Sequence, residues 1–196
     1  IDTGAMYRAI TLYCLRNGII KDKLVNHKKL INLLDHLSIN FKFNTITNDS
    51  ETILNSENVE GLIRGLEVSD NVSIIAQIKQ VREKLILLQQ KIGLNKNVVM
   101  DGRDIGTIVF PDAKLKLFVT ARAEIRAKRR YNELISKGCN VSFSSILNNI
   151  NIRDQHDINR KINPLVAAKD AVLIDNSDLS IKDQNIMIEG LINDKK

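Results

Sequence analysis

Three short apolar segments, separated by helical patterns, constrain the fold of this chain most. Residues 97–101 (NVVMD), 115–119 (LKLFV) and 171–175 (AVLID) each have the length of a strand. Residues 122–137 and 142–160, which lie between the second and third of these, carry apolar residues at helical spacing. Short apolar strands that alternate with helices are typical of a parallel sheet covered on both faces. The sequence therefore predicts an α/β fold with three buried strands.

The rest of the chain interrupts this alternation. The patterns predict helices at 5–17, 25–37 and 67–93, a strand at 39–43, and a short strand and turn at 51–60. Gly18 and Gly138 are expected to end helices as C′ residues, and Ser180 with Asp183 resembles a capping box that opens a last helix. Residues 20–95 are interpreted as an insertion into the α/β fold.

Composition narrows the class of protein. The chain has 196 residues, 27% of them charged, and no apolar run approaches the ~20 residues of a membrane span. It has no secretory signal pattern and begins with Ile1 rather than Met. The two cysteines, Cys14 and Cys139, are expected to be reduced packing residues. The net charge of +6 weakly favours an anionic partner.

Two glycine-containing motifs are candidates for a ligand site. Residues 101–107 (DGRDIGT) follow a predicted strand, and ligands of parallel sheets bind beyond the carboxyl ends of strands. Residues 1–8 (IDTGAMYR) combine a glycine, a hydroxyl and an arginine where a helix begins, which suits an anion. The alternatives are a turn with a solvated salt bridge in the first segment, and a plain N-cap by Thr3 in the second.

Arginine is concentrated on two predicted helices. Arg126 and Arg130 share one helix face, which Arg122 and Arg129 extend, and these like charges repel unless an anion neutralises them. Arg153, Asp157 and Arg160 form one stripe on the next helix. The alternatives are a solvated basic face for the first set and a surface salt-bridge ladder for the second.

The motifs in their order resemble the bacterial cytidylate kinase family. The resemblance rests on IDTGAMYR, SDNVS…VREKL, DGRDIGT, FPDAKLKLFVTARAEIRAKRR and RDQHDINR…NPLVAAKDAVLID. It implies an α/β fold with a P-loop NTPase-like parallel sheet and flanking helices. It also implies a core at 1–19 and 96–196, a nucleoside monophosphate (NMP)-binding insertion at about 20–95, and an Arg-rich lid at about 122–160.

The resemblance also implies roles for single residues. Thr3, Arg8, Arg103 and Arg160 would bind the acceptor phosphate; Ser73, Arg82 and Asp104 would read cytosine; and Arg153 and Asp157 would contact the ribose or nearby phosphates. Arg126, Arg129 and Arg130 would be lid residues over ATP, and Arg122 has a weaker claim. Arg126, Arg130 and Arg153 would be catalytic, since phosphoryl transfer needs mainly positioning and charge neutralisation.

The implied reaction is phosphoryl transfer from ATP, which carries Mg²⁺, to CMP or dCMP. The family needs a G-x-x-x-x-G-K-[ST] loop for the ATP phosphates, and no glycine of this chain is followed by lysine. The implied strand order is 2-3-1-4-5, with strand 1 and the loop helix missing and strand 2 reduced to its last residues. We therefore expect an N-terminally truncated chain that is poorly stable and inactive alone.

Other functions remain open from the residues themselves. The nearest alternative is a kinase for UMP or dTMP, and another is a paralogue that binds without catalysis. A basic nucleic-acid-binding protein would need exposed aromatic residues for stacking, and only Phe118, Tyr131 and Phe143 lie near the arginines. We expect a cytoplasmic monomer that binds neither nucleic acid nor membrane.

Overall fold

A computed structural model of the protein describes residues 1–94 and 97–195 and divides the chain into two units. The first unit spans Ile1–Ile105 and the second spans Gly106–Lys196. The fold is mixed α/β with a parallel strand pair, which confirms the predicted class. Within the described residues, no helix combines the length and apolar character that a membrane span requires.

The described residues of the first unit form four α-helices and two small antiparallel sheets. The helices are α1 (Thr3–Arg16), α2 (His27–Leu34), α3 (Leu66–Ile75) and α4 (Lys79–Gly93), with a 3₁₀ helix at Leu62–Arg64. Strands β1 (Ile20–Lys21) and β2 (Leu24–Val25) form one sheet; β3 (Ile39–Asn44), β4 (Asp49–Leu54) and β5 (Glu57–Asn58) form the other in that order.

Helix α1 lies at the centre of the first unit's core. Met6, Ile10 and Cys14, spaced four residues apart, lie on one helix face and have no exposed surface. Burying a side chain of the size of Met or Ile contributes roughly 1.5–3 kcal/mol relative to leaving it exposed. Burial also raises the pKa of the Cys14 thiol to about 12. Both cysteines are free, as predicted.

The single helix predicted at 67–93 is wrong, because the chain forms α3 and α4 instead. Helix α3 ends at Ile75, and Ile78 adopts an extended conformation with ψ of 119° before α4 begins. The side chain of Ile78 is 6% exposed and belongs to the core. Burial of this residue in the break offsets the loss of helix continuity, and periodicity alone does not reveal it.

The second unit joins a parallel strand pair to three helices. Strands β6 (Leu117–Thr120) and β7 (Val172–Asp175) pair in parallel, and the helices are α5 (Ala123–Ser136), α6 (Phe143–Asn159) and α7 (Ile181–Asn193). Ala127, Leu134 and Ile146 form the small core between α5 and α6. Tyr131 and Phe143 meet edge to face beside it, with ring centroids 6.3 Å apart.

Two expectations about the strands need correction. Residues 97–100 have no regular structure, and among the described residues Asp101 makes only an isolated parallel bridge to Asp2. The strands at 115–119 and 171–175 form but are not fully buried. Val119 is 48% exposed and Leu173 is 66% exposed, since in the described part of the chain their sheet has two strands.

Helix ends follow the predicted capping chemistry with one exception. Gly18 and Gly138 have φ of 59° and 76°, a conformation that glycine adopts without strain. The Ser180 hydroxyl caps α7 by accepting from the Asp183 backbone N–H at 3.1 Å. The exception is α1, whose N-cap is Asp2 and not Thr3: Thr3 is already helical, and the Asp2 carboxylate accepts from Ala5 N at 3.1 Å.

Candidate functional site

The two glycine-containing motifs of the first unit are joined through Thr3. Its backbone N–H donates to the carbonyl oxygen of Asp101 at 3.1 Å, and its hydroxyl donates to the same oxygen at 2.6 Å. The Asp101 N–H in turn donates to the Ile1 carbonyl at 3.1 Å. Residues 98 positions apart are therefore held side by side at the N-terminus of α1, where backbone N–H groups and the helix dipole favour an anion.

Gly102 makes this close approach possible. A Cβ atom at this position would lie 2.3 Å from Thr3 Oγ1 and 2.9 Å from Ile105 Cγ1. Both distances are far inside van der Waals contact, so any larger residue would push the two motifs apart. The glycine following Asp101 is thus required by packing against Thr3.

Asp2 holds two arginines at the same place. Its Oδ2 accepts from Arg8 Nη2 at 2.6 Å and from Arg64 Nη2 at 3.3 Å, while its Oδ1 caps α1. Arg64 is also bound to Glu60, with its Nε 2.6 Å from Glu60 Oε1. Arg8 is largely buried, and its Nε has no hydrogen-bond partner among the described residues.

The pKa values of Asp2 and Asp101 are shifted in opposite directions. Burial acts to raise the pKa of Asp2, but Arg8 and Arg64 outweigh burial and hold that pKa below its ordinary value. The pKa of Asp101 is raised, first by desolvation from surrounding protein atoms and then by the negative charge of Asp2. Asp2 is therefore a firmly ionised counter-ion, whereas Asp101 contributes chiefly its backbone.

Arg82 and Asp104 form a buried ion pair in the same unit. Arg82 is 2% exposed and Asp104 is 6% exposed, and Arg82 Nη2 donates to Asp104 Oδ2. Arg82 Nη1 donates to the Ala76 carbonyl at 2.9 Å, and the guanidinium carbon lies 5.5 Å from the centre of the Tyr7 ring. Its Nε has no hydrogen-bond partner in the described residues. The pair therefore places a hydrogen-bond acceptor, the Asp104 carboxylate, next to a hydrogen-bond donor, the Arg82 guanidinium.

The remaining predicted residues of the first unit occupy neighbouring elements. Arg103 is exposed in the turn between Asp101 and Asp104. Ser73 is half-buried on α3, and its carbonyl accepts from Gln77 Nε2 at 3.2 Å. The turn that carries Arg103 follows Asp101, which bridges Asp2.

The three arginines of the second unit that are predicted to form a lid each have a protein partner. Arg126 makes a bidentate pair with Asp154 of α6 at 3.0 and 2.7 Å. Arg129 donates to the side chain and carbonyl of Asn176 at 2.9 and 2.7 Å. Arg130 pairs with Glu133 at 2.8 Å, on its own helix. The expected repulsion along the helix is therefore relieved by Asp154 and Glu133 and does not require a bound anion.

Arg122 is held at the carboxyl end of the parallel strand pair. Its guanidinium makes a bidentate pair with Asp178 at 2.9 and 2.6 Å, and its backbone N–H donates to Ser177 Oγ at 2.9 Å. Both partners follow β7 directly. Arg122 is the N-cap residue of α5, so it precedes the helix that carries the other three arginines.

Arg153, Asp157 and Arg160 follow one another along α6 to its end. Arg160 is the C-cap residue; its Nε donates to the Asn163 carbonyl at 2.5 Å, and its Nη1 lies 3.4 Å from Asp157 Oδ1. Both side chains of this pair are buried, with 4% and 9% exposed. This is no solvated ladder, because a surface ion pair would leave these side chains in water. Arg153 is half-buried one turn before Asp157.

Comparison with known proteins identifies the family. The sequence matches the family described as cytidylate kinase over residues 1–193. Cytidylate kinase of Flavobacterium johnsoniae is 48% identical over 194 residues, which cover 99% of this chain and 84% of that protein. The proteins of the same name from Flavobacterium psychrophilum and Phocaeicola vulgatus are each 50% identical, over 98% and 94% of this chain and 85% and 80% of their own lengths.

The chain belongs to the cytidylate kinase family. The resemblance inferred from the sequence motifs is thereby confirmed, and membership assigns the protein to the kinases.

The motif-based prediction gave no role to three side chains that organise these sites in this cytidylate kinase family member. Asp2 and Arg64 lie in the cluster with Arg8, and Asp154 anchors Arg126. Asp2 was detectable, since an aspartate directly before the start of a helix is an N-cap signal. Arg64 and Asp154 were not, because their contacts join positions 62 and 28 residues apart.

Proposed function

We propose that this protein transfers the γ-phosphoryl group of ATP to CMP or dCMP, giving ADP and CDP or dCDP. Residues 20–95 would carry much of the acceptor-binding surface, and residues 122–160 would form the lid over ATP. The protein would act as a cytoplasmic monomer without nucleic-acid or membrane partners.

The meeting of sequence-distant motifs in the first unit carries this proposal. Thr3 is bonded to Asp101, and Arg82 is paired with Asp104, so residues 1–8, 82 and 101–104 come together. Family membership supports the same reading, since the relatives are named cytidylate kinases.

Residue roles follow from the chemistry of the acceptor. Arg8, Arg103 and Arg160 would hold the α-phosphate, because guanidinium groups bind phosphate bidentately, and Thr3 would lie beside it. Arg153 and Asp157 would contact the ribose or its phosphate.

Cytosine and uracil differ at the edge that Asp104 would read. The exocyclic amine of cytosine would donate to Asp104, while Arg82 and Ser73 would donate to its ring acceptors. Uracil would present an oxygen acceptor to the Asp104 carboxylate, and the two would repel each other.

The transfer itself needs little covalent help from the protein. A phosphate oxygen of CMP forms the new bond to the γ-phosphorus, and the bond from that phosphorus to the bridging oxygen of ADP breaks. Arg126, Arg130 and Arg153 would neutralise the charge that builds up on the transferred group, with Arg129 assisting from the lid. No general base is needed, because the attacking phosphate is already anionic.

The donor side of the reaction is incomplete in these 196 residues. They contain no G-x-x-x-x-G-K-[ST] segment for the ATP phosphates. Mg²⁺ would enter with ATP. We therefore expect a protein limited to these residues to bind CMP without turning it over; robust turnover would contradict that expectation alone.

Calorimetric titration with CMP and UMP tests the acceptor assignment. The unaltered protein should prefer CMP, and Asp104→Asn should reduce or reverse that preference, because an amide can donate to the uracil oxygen. Asp49→Asn, at an exposed position of β4, is the matched control and should change nothing. Equal binding of CMP and UMP by the unaltered protein would overturn the proposal.

A further inference from the structure

Arg64 has no role in the proposal above, yet it reaches the same carboxylate as Arg8. The two Nη2 atoms lie 3.3 and 2.6 Å from one oxygen, Asp2 Oδ2. We infer that Arg64 is a further acceptor-phosphate residue, which places a second guanidinium opposite Arg8 and is positioned by Glu60. This inference rests on the proposed function and adds a specific residue to it.

Asp2 and Glu60 balance the charges of Arg8 and Arg64, so a phosphate would compete with Asp2 for the two guanidinium groups. Charge-assisted N–H···O contacts are strongest at about 2.7–2.9 Å, so the 3.3 Å contact of Arg64 with Asp2 is the weaker of the two. Two guanidinium groups around one carboxylate also repel each other. A phosphate dianion brings several further acceptor oxygens and relieves that repulsion.

Glu60 fixes the direction in which Arg64 points. Glu60 Oε1 accepts from Arg64 Nε at 2.6 Å, and Glu60 Oε2 accepts from the Thr52 hydroxyl at 2.7 Å and the Thr52 N–H at 3.1 Å. Thr52 has no exposed surface, so the guanidinium fork is anchored through β4. The Arg64 side chain is still 45% exposed, which leaves it within reach of a ligand. A pre-oriented fork loses little conformational entropy when it binds an anion.

The surroundings of Asp2 favour an anion independently of Arg64. Helix α1, with 14 residues, begins at Thr3 and directs its positive dipole end toward this point. The isolated bridge between Asp2 and Asp101 brings Gly102 against Thr3, so the backbone can approach this point closely. Arg8 Nε is buried without a hydrogen-bond partner in the described residues. These three features converge on the carboxylate that Arg64 contacts.

Arg16 offers a matched control in the same unit. It makes a bidentate pair with Glu57 at 2.7 and 3.0 Å, and both side chains are exposed. Arg16 therefore resembles Arg64 as a half-exposed arginine with a glutamate partner, but it lies at the opposite end of α1.

Titration of the protein with CMP and with cytidine separates phosphate binding from general damage. Arg64→Gln should weaken CMP binding by about tenfold or more, as expected for a lost charge-assisted contact, and leave cytidine within about twofold. Arg16→Gln should leave both affinities unchanged. Glu60→Gln should give a smaller loss confined to CMP, because Arg64 remains but is no longer oriented.

The outcomes separate this inference from the function on which it rests. If the unaltered protein binds UMP as well as CMP, the proposed function fails. Two outcomes overturn only the inference in a protein that prefers CMP. In one, Arg64→Gln weakens the binding of CMP and of cytidine equally; in the other, it changes the binding of neither. Should Arg64→Gln not fold, Arg64→Lys decides: a loss confined to CMP supports the inference, and unchanged CMP binding overturns it.

Discussion

Asp2 shows how much of the candidate site depends on one side chain. One carboxylate oxygen caps α1, and the other binds Arg8 and Arg64. Because the arginines hold its pKa below the ordinary value of 3.8, the charged form is favoured in the folded state. Asp2 therefore stabilises the folded protein fully above the pKa of an unfolded aspartate, and this contribution is lost as the pH falls through its folded-state pKa.

Asp2→Asn tests this charge while preserving the cap, since asparagine is an equally good N-cap residue. At pH 7 the variant should lose about 1–2 kcal/mol of unfolding free energy, because Arg8 loses its charged partner. At pH 3 the difference should shrink, because this pH lies below the pKa of an unfolded aspartate and the unfolded chain of the unaltered protein is then stabilised by taking up a proton. Urea unfolding at both pH values measures this, and an equal deficit at each would show that the charge is not responsible.

Gly102→Ala tests the contact between the two motifs. The added Cβ would lie 2.3 Å from Thr3 Oγ1, so we expect a loss of about 1–3 kcal/mol from overpacking. Gly61→Ala is the control, since nothing lies within 4 Å of a Cβ at that position. If urea unfolding shows the two variants to be equally stable, the backbone around Thr3 yields more easily than this geometry implies.

At the scale of elements, helix ends are determined locally and helix packing is not. Helix α7 illustrates this, because it has a complete cap at Ser180 but no buried residue. Helix α5, in contrast, packs on α6 through Ala127 and Leu134 and is tied to it by the Arg126–Asp154 pair. The stability of α7 should consequently depend mainly on its cap, whereas that of α5 should depend mainly on its packing against α6.

Ser180→Ala should weaken α7 by about 1 kcal/mol, the usual cost of removing a serine N-cap. Hydrogen exchange should accelerate in Ile181–Asn193 and leave α6 unchanged. Ser142→Ala removes the equivalent cap of α6 and should accelerate exchange there only. Unchanged exchange of α7 in the first variant would mean that contacts other than the cap stabilise this helix.

At the scale of the whole molecule, the two units differ in how much apolar surface they bury. The core of the first unit includes Met6, Ile10 and Leu85 with no exposed surface, whereas the compact cluster of the second consists of Ala127, Leu134 and Ile146. Burial of apolar area is the dominant stabilising term in folding. The second unit should therefore open more readily than the first.

Hydrogen exchange followed by mass spectrometry measures this difference directly. Amides of α1 and α4 should exchange most slowly, those of α5 and α6 faster, and those of α7 fastest, because local opening follows the buried contacts that must be broken. CMP at about 100 times its Kd should raise the free energy of opening in the first unit by up to about 2.7 kcal/mol. Exchange there should slow accordingly. Equal protection of α1 and α7 would contradict the ranking.

The sequence by itself determined the features that depend on neighbouring residues. Apolar periodicity predicted α1, α5, α6 and both parallel strands, and local capping chemistry predicted the ends at Gly18, Gly138 and Ser180. The ordered motifs predicted the kinase family, because such motifs retain the residue types that a ligand requires. The roles of Ser73, Arg103 and the other predicted site residues stay predictions until they are tested.

Only the tertiary structure decided the features that depend on partners distant in sequence. It divided 67–93 at Ile78, because that side chain is buried, and it reduced the predicted strand at 97–101 to one bridge between Asp101 and Asp2. It also paired Asp2 with Arg64 and Arg126 with Asp154. Local propensity carries no information about which charges meet, since an ion pair forms wherever the packed backbone brings two side chains within a few ångströms of each other.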